Sequence, residues 1–551
     1  MQRLFSDAPA LRSEDTASLL TGYNRPHYPV MALPQSDARM PSSAPSPLSR
    51  RGQWMTLAAA LFGWMFDGLE MGLFPLVAGP ALGDLLGTSD QSQVSRWVAV
   101  ITAGFLVGAA TGGVLFGWLG DRIGRVRAMI LSILTYAIFS GVCGIAQEAW
   151  QVAAFRLIAS IGMGGEWSLG VALVMEVWPD RSRAWLAGVI GSAANLGYLL
   201  IAVVGLGLSV VLTDLRELLL SIGVGQETTE WLVHNHGWRL LMLFGALPAL
   251  LTLLIQIFVP ESHRWVAEKQ KGTTSHWQTI DLLGVVVGAA GACGLIALWA
   301  MEGLELPVRI LVSAAAIVFI TAGYLYPILR YVRRAEATPA TSDDSVNVPG
   351  QSSTSPLRAI LGRLLLAAAL SGVALLGTWG SVQQAPTYAN VITGGQARVR
   401  EYTQVSTASG AVIGCVLAAL MGDWLGRRVT YALLCIGSIG AIAGLYQLND
   451  SYSPTFLCWA FVAGTITAAF YGWLPLYLPE LFRTKVRATG QGFGFNFGRV
   501  LAAIGVLQLP VVMKQLNVGW QGACTAMSLI YLVGLALIWL APETKGKPLP
   551  E

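Results

Sequence analysis

Apolar residues in this chain fall into long runs that short polar stretches interrupt. Fourteen runs follow Trp54, near residues 54–82, 94–118, 127–146, 150–177, 184–212, 238–259, 281–302, 308–329, 362–385, 402–421, 429–448, 453–478, 488–512 and 519–541. An α-helix of about 20 apolar residues crosses the roughly 30 Å hydrocarbon core of a bilayer. The pattern therefore predicts an all-α polytopic membrane protein with 14 transmembrane helices.

Lysine and arginine residues divide the loops between these runs into two sets. The loops on one side, taken alternately from Arg50 to Lys547, hold 22 basic residues, and the loops on the other side hold seven. The positive-inside rule places the richer set, together with both termini, in the cytoplasm. The sequence thus predicts a multi-pass protein of the cell inner membrane.

Composition agrees with a chain that is embedded in lipid. Of the 551 residues, 54% are hydrophobic and 12% are charged, whereas soluble domains are about 25% charged. The net charge of +4 is small and dispersed, which argues against a nucleic-acid partner. Residues 1–50 are rich in Ser, Pro, Ala and Arg, and we expect them to form a disordered cytoplasmic tail.

The sequence lacks the common motifs of catalysis and metal binding. The six cysteines stand singly, and His234 and His236 have no further ligands at the usual spacing. There is no Gly-x-Ser-x-Gly, phosphate-binding loop or zinc-protease helix. We therefore expect no enzymatic activity, no cofactor and no metal, and an ion gradient would have to drive any pumping.

A short polar motif occurs twice in the chain. Gly120-Asp-Arg-Ile-Gly-Arg-Val-Arg127 returns as Gly422-Asp-Trp-Leu-Gly-Arg-Arg-Val429, and Gly108 and Gly112 before it match Gly410 and Gly414. Two further pairs keep the correspondence: Glu176 and Arg183 match Glu480 and Arg487, and Pro260-Glu261-Ser262 matches Pro542-Glu543-Thr544. A match in register with the preceding helix indicates an internal duplication.

This register predicts the domain organisation. The parts are a tail (1–50), an N-terminal six-helix bundle (51–262), a linker with two extra transmembrane helices (263–361), a C-terminal six-helix bundle (362–545) and a cytoplasmic tail (546–551). Parallel six-helix repeats with a site at the midplane between them are the architecture of many secondary transporters.

Several motifs resemble those of the major facilitator superfamily. The Gly-Asp-Arg-x-Gly-Arg loop is similar to its signature. Its sugar-porter and metabolite–proton symporter branches resemble this chain at Arg156, Glu176, Pro179, Arg183, Pro260-Glu261-Ser262, Glu480, Arg487 and Pro542-Glu-Thr-Lys-Gly546. The 14-helix bacterial sialic acid–proton symporters look most similar, through Asp67-Gly-Leu-Glu70, Gly162-Met-Gly-Gly-Glu166, Trp178-Pro179, Gly237-Trp-Arg239 and Trp379 followed by Pro386-Thr-Tyr388. The resemblance covers about residues 54–545 and implies the major facilitator fold with alternating access.

Charged residues at the repeated motifs are the candidates for cytoplasmic gating. By resemblance, the loop at Asp121 is a latch between the halves that breaks when the transporter turns inward; a topogenic anchor is the alternative. The Glu–Arg pairs suggest ion pairs that exchange partners between states. The candidates are Asp121, Arg122, Arg125, Glu176, Arg183, Asp423, Arg427, Glu480 and Arg487.

Carboxyl groups at membrane depth are the candidates for proton coupling, because buried ionisable residues there are costly. Asp67 and Glu70 are three residues apart and share one helix face. Neighbouring carboxyls in a low-dielectric site repel, so one of them is expected to hold a proton. Glu166, mid-helix, is the third candidate. The alternative is that these groups pair with Arg156 or another cation and stay charged.

A mixed set of polar and aromatic side chains supplies the candidates for substrate binding. Arg156 suits a substrate carboxylate, although it is near enough to its helix end to snorkel. Trp379 and Tyr388 resemble a sugar site but also fit an interfacial aromatic belt. The full set is Arg156, Trp379, Gln383, Gln384, Tyr388, Asn496 and Arg499.

Together these features predict a secondary active transporter. We expect proton-coupled symport of a small polar solute, such as a sugar, an acidic sugar like sialic acid, or an organic acid, by a monomer in the lipid bilayer. An uncoupled facilitator and a non-transporting nutrient receptor on the same fold are the alternatives. A drug–proton exporter is disfavoured because the fifth helix lacks the Gly-Pro-x-x-Gly-Gly pattern.

Overall fold

The computed structural model describes residues 50–337, except 89, 180–181 and 302–304, and residues 356–550, except 397 and 516. The expected disordered tail lies outside these residues except for Arg50, as does most of the Ser/Thr/Pro segment before the C-terminal repeat.

The described residues form helices and connecting turns. The helices are α1 (Arg50–Leu86), α2 (Gln91–Ile123), α3 (Arg125–Val142), α4 (Ala149–Val177), α5 (Arg183–Ser221), α6 (Gln226–Phe244), α7 (Ala249–Phe258), α8 (His263–Gln270), α9 (Leu282–Ala300), α10 (Leu306–Ala337), α11 (Pro356–Gly380), α12 (Ala385–Ile392), α13 (Val399–Leu425), α14 (Arg427–Gln447), α15 (Pro454–Thr467), α16 (Phe470–Tyr477), α17 (Arg487–Gln515), α18 (Trp520–Ser528) and α19 (Ile530–Leu537).

Most of the predicted membrane segments are long apolar helical stretches in the structure. Within the described residues, 12 stretches are long and apolar enough to cross a bilayer, and they coincide with 12 of the 14 predicted runs. The run 238–259 is divided between α6 and α7, and the run 488–512 lies in α17. An all-α membrane fold is confirmed, while the count of 14 crossings stays a prediction.

The helices pack as two groups that correspond to the repeats. In the first group α2 packs on α4, and α1 packs on α4 and α5; in the second, α13 packs on α15, and α11 packs on α17 and α19. The groups meet where α2 lies against α17 and where α5 lies against α13 and α16. A Cβ atom on Gly492 of α17 would lie 1.9 Å from the carbonyl oxygen of Gly113 on α2. The two backbones therefore touch, and only glycine fits there.

The duplicated polar motif produces the same local structure twice. Gly124 (φ 114°) separates α2 from α3, and Gly426 (φ 96°) separates α13 from α14, in a region that residues with a Cβ rarely adopt. The carboxylate of Glu261 accepts hydrogen bonds from the first two backbone N–H groups of α3, at 2.9 and 3.2 Å. Glu543 does the same for α14, at 3.0 and 3.2 Å. Each carboxylate satisfies otherwise unpaired N–H groups at a helix start.

The helices between the repeats, α9 and α10, pack on each other and on α2, with smaller contacts to α17. The hydroxyl groups of Tyr324 on α10 and Thr111 on α2 lie 2.8 Å apart in a buried hydrogen bond. Near the start of α9, Asp281 binds Arg334 of α10, and Thr279 accepts a hydrogen bond of 2.8 Å from Arg122. These contacts attach the inserted helices to α2.

Candidate functional site

A small cavity lies where the two helix groups face each other. It measures about 50 Å³, which is room for only a few water molecules. Helices α1, α5, α11, α16 and α17 and the turn after α11 supply its lining, which includes Trp64, Asp67, Met71, Asn195, Tyr198, Trp379, Gln383, Tyr471, Phe495 and Arg499. Binding of a metabolite here requires the surrounding helices to move apart.

One acidic and one basic side chain face this cavity from opposite helix groups. Asp67 on α1 is 5% exposed and Arg499 on α17 is 6% exposed, and they attract each other electrostatically. The guanidinium of Arg499 lies 5.4 Å from the ring centre of Phe495, and its Nη1 has no hydrogen-bond partner among the described residues. Arg499 thus offers a buried cation with spare N–H donors to the cavity.

Aromatic rings form one wall beside this cation. Trp167 stacks on Phe495 with ring centres 3.9 Å apart, and Trp64 meets Trp167 edge-on at 5.4 Å. The indole N–H groups of Trp64 and Trp167 have no hydrogen-bond partner in the part of the chain that the structure describes. The wall combines flat apolar faces with unused donors.

Two carboxyl groups lie side by side at the inner end of this wall. Glu166 on α4 is 1% exposed and interacts directly with Asp67, and its carboxyl lies against the backbone of Gly63, where no side chain intervenes. Neither oxygen of Glu166 accepts a geometrically sound hydrogen bond from the described residues. Charging both of two adjacent buried carboxyls is costly in free energy, so the pair is suited to hold one proton.

Glu70 pairs with Arg156, not with the Arg499 that lies near Asp67. Its Oε1 lies 2.8 Å from Nη1 of Arg156, and both side chains are 2% exposed. The Arg156 guanidinium is also sandwiched between the rings of Phe74 and Phe105, at 4.5 and 5.0 Å. The predicted alternative of an ion pair with Arg156 therefore holds for Glu70 in this structure.

The predicted substrate-binding residues divide into two sets. Trp379, Gln383 and Arg499 line the cavity, whereas Arg156, Gln384, Tyr388 and Asn496 are not among its lining residues. Gln384 donates to the carbonyl of Trp379, Tyr388 donates to that of Asn449, and Asn496 donates to that of Gly164 on α4. These last three side chains have structural partners in this conformation.

The structure adds lining residues that the sequence did not single out. Asn195 and Tyr198 on α5, Tyr471 on α16 and Phe495 on α17 all face the cavity, and the Tyr198 hydroxyl donates to Gln383 at 3.0 Å. Of these residues, Asn195 could have been identified from the sequence, because an amide inside a long apolar run requires an explanation.

Seven of the predicted gating residues meet at one end of the bundle; we call them the charged cluster: Asp121, Arg125, Glu176, Arg183, Arg427, Glu480 and Arg487. Glu176 forms ion pairs with Arg125 of its own repeat, at 3.3 Å, and with Arg487 of the other repeat, at 2.9 Å. Glu480 forms ion pairs with Arg427 of its own repeat, at 2.7 Å, and with Arg183 of the other repeat, at 3.2 Å. Each glutamate therefore binds one arginine from each half.

The two aspartates of the repeated motif differ in their surroundings. Asp121 is buried, lies 2.6 Å from Arg125, and accepts hydrogen bonds from the backbone N–H and the hydroxyl of Thr489 in the other half. The side chain of Asp423 is 62% exposed and lies 3.6 Å from Arg427 of its own half. Asp121 thus joins the halves in this conformation, and Asp423 does not make the equivalent contact.

Arg122 lies beside the charged cluster rather than in it. Its guanidinium lies 4.9 Å from the ring centre of Trp118, and it donates to Thr279. Of the gating candidates, Arg122 and Asp423 therefore do not bridge the halves through these contacts.

The pKa values of the two capping glutamates, Glu261 and Glu543, shift in opposite directions, although both residues cap a helix in the same way. Burial raises the pKa of Glu261, and the hydrogen bonds from the Ser262, Arg125 and Val126 backbone only partly offset this. Burial also acts to raise the pKa of Glu543, but backbone N–H groups of Arg427, Arg428, Lys545 and Thr544 hold it below its usual range. The difference follows from the deeper position of Glu261.

Comparison with known proteins decides the family. The family model described as "Sugar (and other) transporter" matches residues 55–278 and 429–551, which is more than half of the chain. The chain belongs to the sugar (and other) transporter family. The residues left out between the two matched parts include the inserted helices α9 and α10.

Curated relatives of this transporter agree with that assignment. The cis,cis-muconate transport protein of Acinetobacter baylyi is 25% identical over 402 residues, which are 72% of this chain and 74% of the relative. A sialic acid transporter of Escherichia coli is 25% identical over 492 residues, or 89% of this chain and 93% of the relative. These relatives are transporters and not enzymes.

A solved structure supports the fold. The proton:xylose symporter of the major facilitator superfamily superposes with a TM-score of 0.63 at 16% identity, covering 90% of this chain and 98% of that chain. The transporter is a multi-pass membrane protein with the major facilitator fold.

Proposed function

We propose that this protein is a secondary active transporter that carries a small organic acid together with protons by alternating access. It acts as a monomer in the cell inner membrane, with both termini in the cytoplasm.

The observation that carries the proposal is the position of Arg499. A buried guanidinium with an unused Nη1 in the described cavity is suited to bind a carboxylate by charge-assisted hydrogen bonds. The rings of Trp64 and Phe495, which line the cavity, would cover a planar or apolar part of the solute, and Trp167 stacks on Phe495 and supports it. Muconate and sialic acid, which the relatives named above transport, both carry a carboxylate.

Proton coupling is assigned to Asp67 and Glu166. Asp67 faces the same cavity as Arg499, and a negative charge on Asp67 competes with a solute carboxylate for that arginine. Protonation of the Asp67–Glu166 pair releases Arg499 for the solute. Proton binding and solute binding then favour each other, as symport requires.

Alternating access is assigned to the charged cluster, which lies where α2 ends and α17 begins. The positive-inside distribution of Lys and Arg supports a cytoplasmic position for this end. The ion pairs across the halves hold it closed in the present conformation, and opening toward the cytoplasm would separate them.

The decisive experiment is uptake in proteoliposomes that contain the purified protein and a pH-sensitive dye. cis,cis-Muconate, N-acetylneuraminate and xylose are presented in turn, with an imposed pH gradient and without one. We expect accumulation of an acid with proton movement, and its loss in Asp67→Asn. Uptake without proton movement would identify an uncoupled facilitator, and uptake of xylose but of neither acid would refute the role of Arg499.

A further inference from the structure

The first helix group contains a row of buried polar atoms that lack hydrogen-bond partners. Among the described residues they include Oδ1 of Asp67, both carboxyl oxygens of Glu166, the hydroxyls of Tyr136 and Ser140, and Oε2 of Glu70. A buried polar group without a partner loses its interaction with water and gains nothing in return, and native proteins keep few such groups. A group of them in one region requires a functional explanation.

Tyr136 on α3 connects the two carboxyl sites of α1 and α4. The residue is fully buried, and its hydroxyl approaches the Glu166 carboxyl without completing a hydrogen bond. The carboxyls of Asp67 and Glu70 are also close enough to act on it electrostatically. A small rotation of the phenol would therefore be enough to form a hydrogen bond to Glu166.

Ser140 extends this connection toward the Glu70–Arg156 pair. It lies one turn beyond Tyr136 on the same face of α3 and is fully buried. A Cβ atom on Gly245 would lie 3.1 Å from Cβ of Ser140 and 3.3 Å from Oε2 of Glu70. Ser140 and Oε2 of Glu70 therefore both approach Gly245 closely, which is possible because residue 245 has no side chain.

We propose that Tyr136 and Ser140 relay protons between Glu70 and the Asp67–Glu166 pair, inside the first helix group and apart from the path of the solute. The proposal rests on the proton-coupled transport proposed above. Asp67 lines the solute cavity, while Glu166, Tyr136, Ser140 and Glu70 are not among its lining residues. The proton route and the solute route thus meet at Asp67.

The relay balances as a sequence of proton hops. Protonated Glu70 gives its proton through a bridging water molecule to the oxygen of Ser140, and Ser140 passes its own hydroxyl proton through a second water molecule to the oxygen of Tyr136, because these atoms form no direct hydrogen bonds with one another. The phenolic proton of Tyr136 passes at the same time to the Glu166 carboxylate. Glu70 ends as a carboxylate that Arg156 stabilises at 2.8 Å, Glu166 ends protonated, and both hydroxyl groups are restored.

The cation near each end gives the relay its direction. Arg156 favours the charged form of Glu70, and Arg499 is close enough to Asp67 to favour its charged form. A solute carboxylate on Arg499 would weaken the second effect and favour a proton on the Asp67–Glu166 pair. Solute binding therefore draws the proton from Glu70 toward the cavity.

The test compares Tyr136→Phe with the wild-type protein in proteoliposomes, using cis,cis-muconate and N-acetylneuraminate singly as probes. Two reactions are measured: uptake driven by a pH gradient, and exchange of labelled for unlabelled acid at equal pH. Exchange needs no net proton transfer. We expect Tyr136→Phe to slow driven uptake by at least about tenfold, since a positioned proton donor contributes that much or more, and to leave exchange unchanged. Ser140→Ala should show a smaller effect of the same kind.

Tyr531→Phe is the matched control. Tyr531 is equally buried, and its hydroxyl also lacks a hydrogen-bond partner within the described residues, but it lies on α19 in the second helix group. Equal driven uptake in Tyr136→Phe and wild type would overturn the relay, and so would an equal loss of uptake and exchange, which indicates a packing defect. A wild-type protein that takes up neither acid would instead refute the proposed function, and the relay with it.

Discussion

The Nη1 atom of Arg487 lies 2.9 Å from Oε1 of Glu176, although the two residues belong to different repeats of the chain. The equivalent pair, Arg183 and Glu480, also joins the halves, at 3.2 Å. All four side chains are buried or nearly so. Separating either pair while it stays buried would leave uncompensated charges, so these contacts favour the closed arrangement of this end of the bundle.

Removing one partner should therefore open that end. Glu176→Gln leaves Arg125 and Arg487 without their shared carboxylate, at a cost of about 3–5 kcal/mol. We expect a cysteine at the buried position 488 to react at least tenfold faster with a thiol reagent, since about 1.4 kcal/mol corresponds to a factor of ten. The exposed Cys293 and Cys458 are first replaced by serine. The exposed Glu217→Gln serves as control, and unchanged labelling in Glu176→Gln would contradict the closing role.

The duplicated aspartates should respond differently to the same substitution. Asp121→Asn weakens a buried ion pair and a contact across the halves, whereas Asp423→Asn alters an exposed side chain. We expect slower uptake and faster labelling at position 488 in Asp121→Asn. Asp423→Asn should change labelling little, because exposed ion pairs contribute about 0–1 kcal/mol. Similar effects of both substitutions would show that Asp423 has an unrecognised partner in the closed state.

Close backbone contact between α2 and α17 should make Gly492 sensitive to one added methyl group. In Gly492→Ala, the new Cβ would overlap the carbonyl oxygen of Gly113, so the helices must separate. Spin labels at the exposed positions 127 and 424 should report a longer distance between the halves. Gly104→Ala on α2 is the control, because a Cβ there has no neighbour within 4 Å. An unchanged distance in Gly492→Ala would mean that the contact adapts without opening.

Arg499 should determine the affinity for an acid. Arg499→Gln removes the cation of the cavity and should weaken acid binding by at least tenfold, since losing one partner of a buried charged pair costs about 2–5 kcal/mol. Arg499→Lys keeps the charge but loses the forked donor geometry, so its affinity should be intermediate. Quenching of tryptophan fluorescence measures binding, because Trp64 and Trp379 line the cavity. Wild-type affinity in Arg499→Gln would place the carboxylate elsewhere.

Glu261 and Glu543 should change stability in opposite directions as the pH falls: the contribution of Glu261 grows as the pH drops toward about 4.5 from above, and that of Glu543 is lost below about 4.5. The lowered pKa of Glu543 means that the unfolded chain binds its proton more readily, so this stabilisation is lost in acid. The raised pKa of Glu261 means that protonation favours the folded state, so its contribution increases in acid. Thermal unfolding followed over this pH range should show a shallower acid loss in Glu543→Gln and a steeper one in Glu261→Gln. Parallel curves for the two variants would contradict the assignment.

The sequence predicted the helical membrane fold and the repeats because these depend on local patterns. Runs of apolar residues mark α-helices of the correct length, and the recurrence of Gly120–Arg127 at Gly422–Val429 gives the register of the duplication. The same register selected the residues of the charged cluster as candidates, since Glu176 and Glu480 stand at matching positions. It did not predict that each glutamate would bind an arginine of the other half, because sequence offsets do not specify contacts between bundles.

The lining of the cavity was harder to predict from the sequence. Transmembrane helices are apolar on every side, so the pattern does not distinguish the face toward the cavity from the face toward lipid. Trp64 and Phe495 therefore looked like ordinary core residues. Asn496 and Arg499 were both candidates for substrate binding, yet Asn496 binds the Gly164 carbonyl of α4 while Arg499 faces the cavity.

The crossed pairing of the two glutamates also constrains how the halves can evolve. A substitution at Arg487 is corrected most directly at Glu176, and one at Arg183 at Glu480, in each case in the opposite repeat. We therefore expect substitutions at these positions to occur in matched pairs, one in each repeat. A chimera that joins the first half of this transporter to the second half of a distant relative should function only if both pairs remain matched.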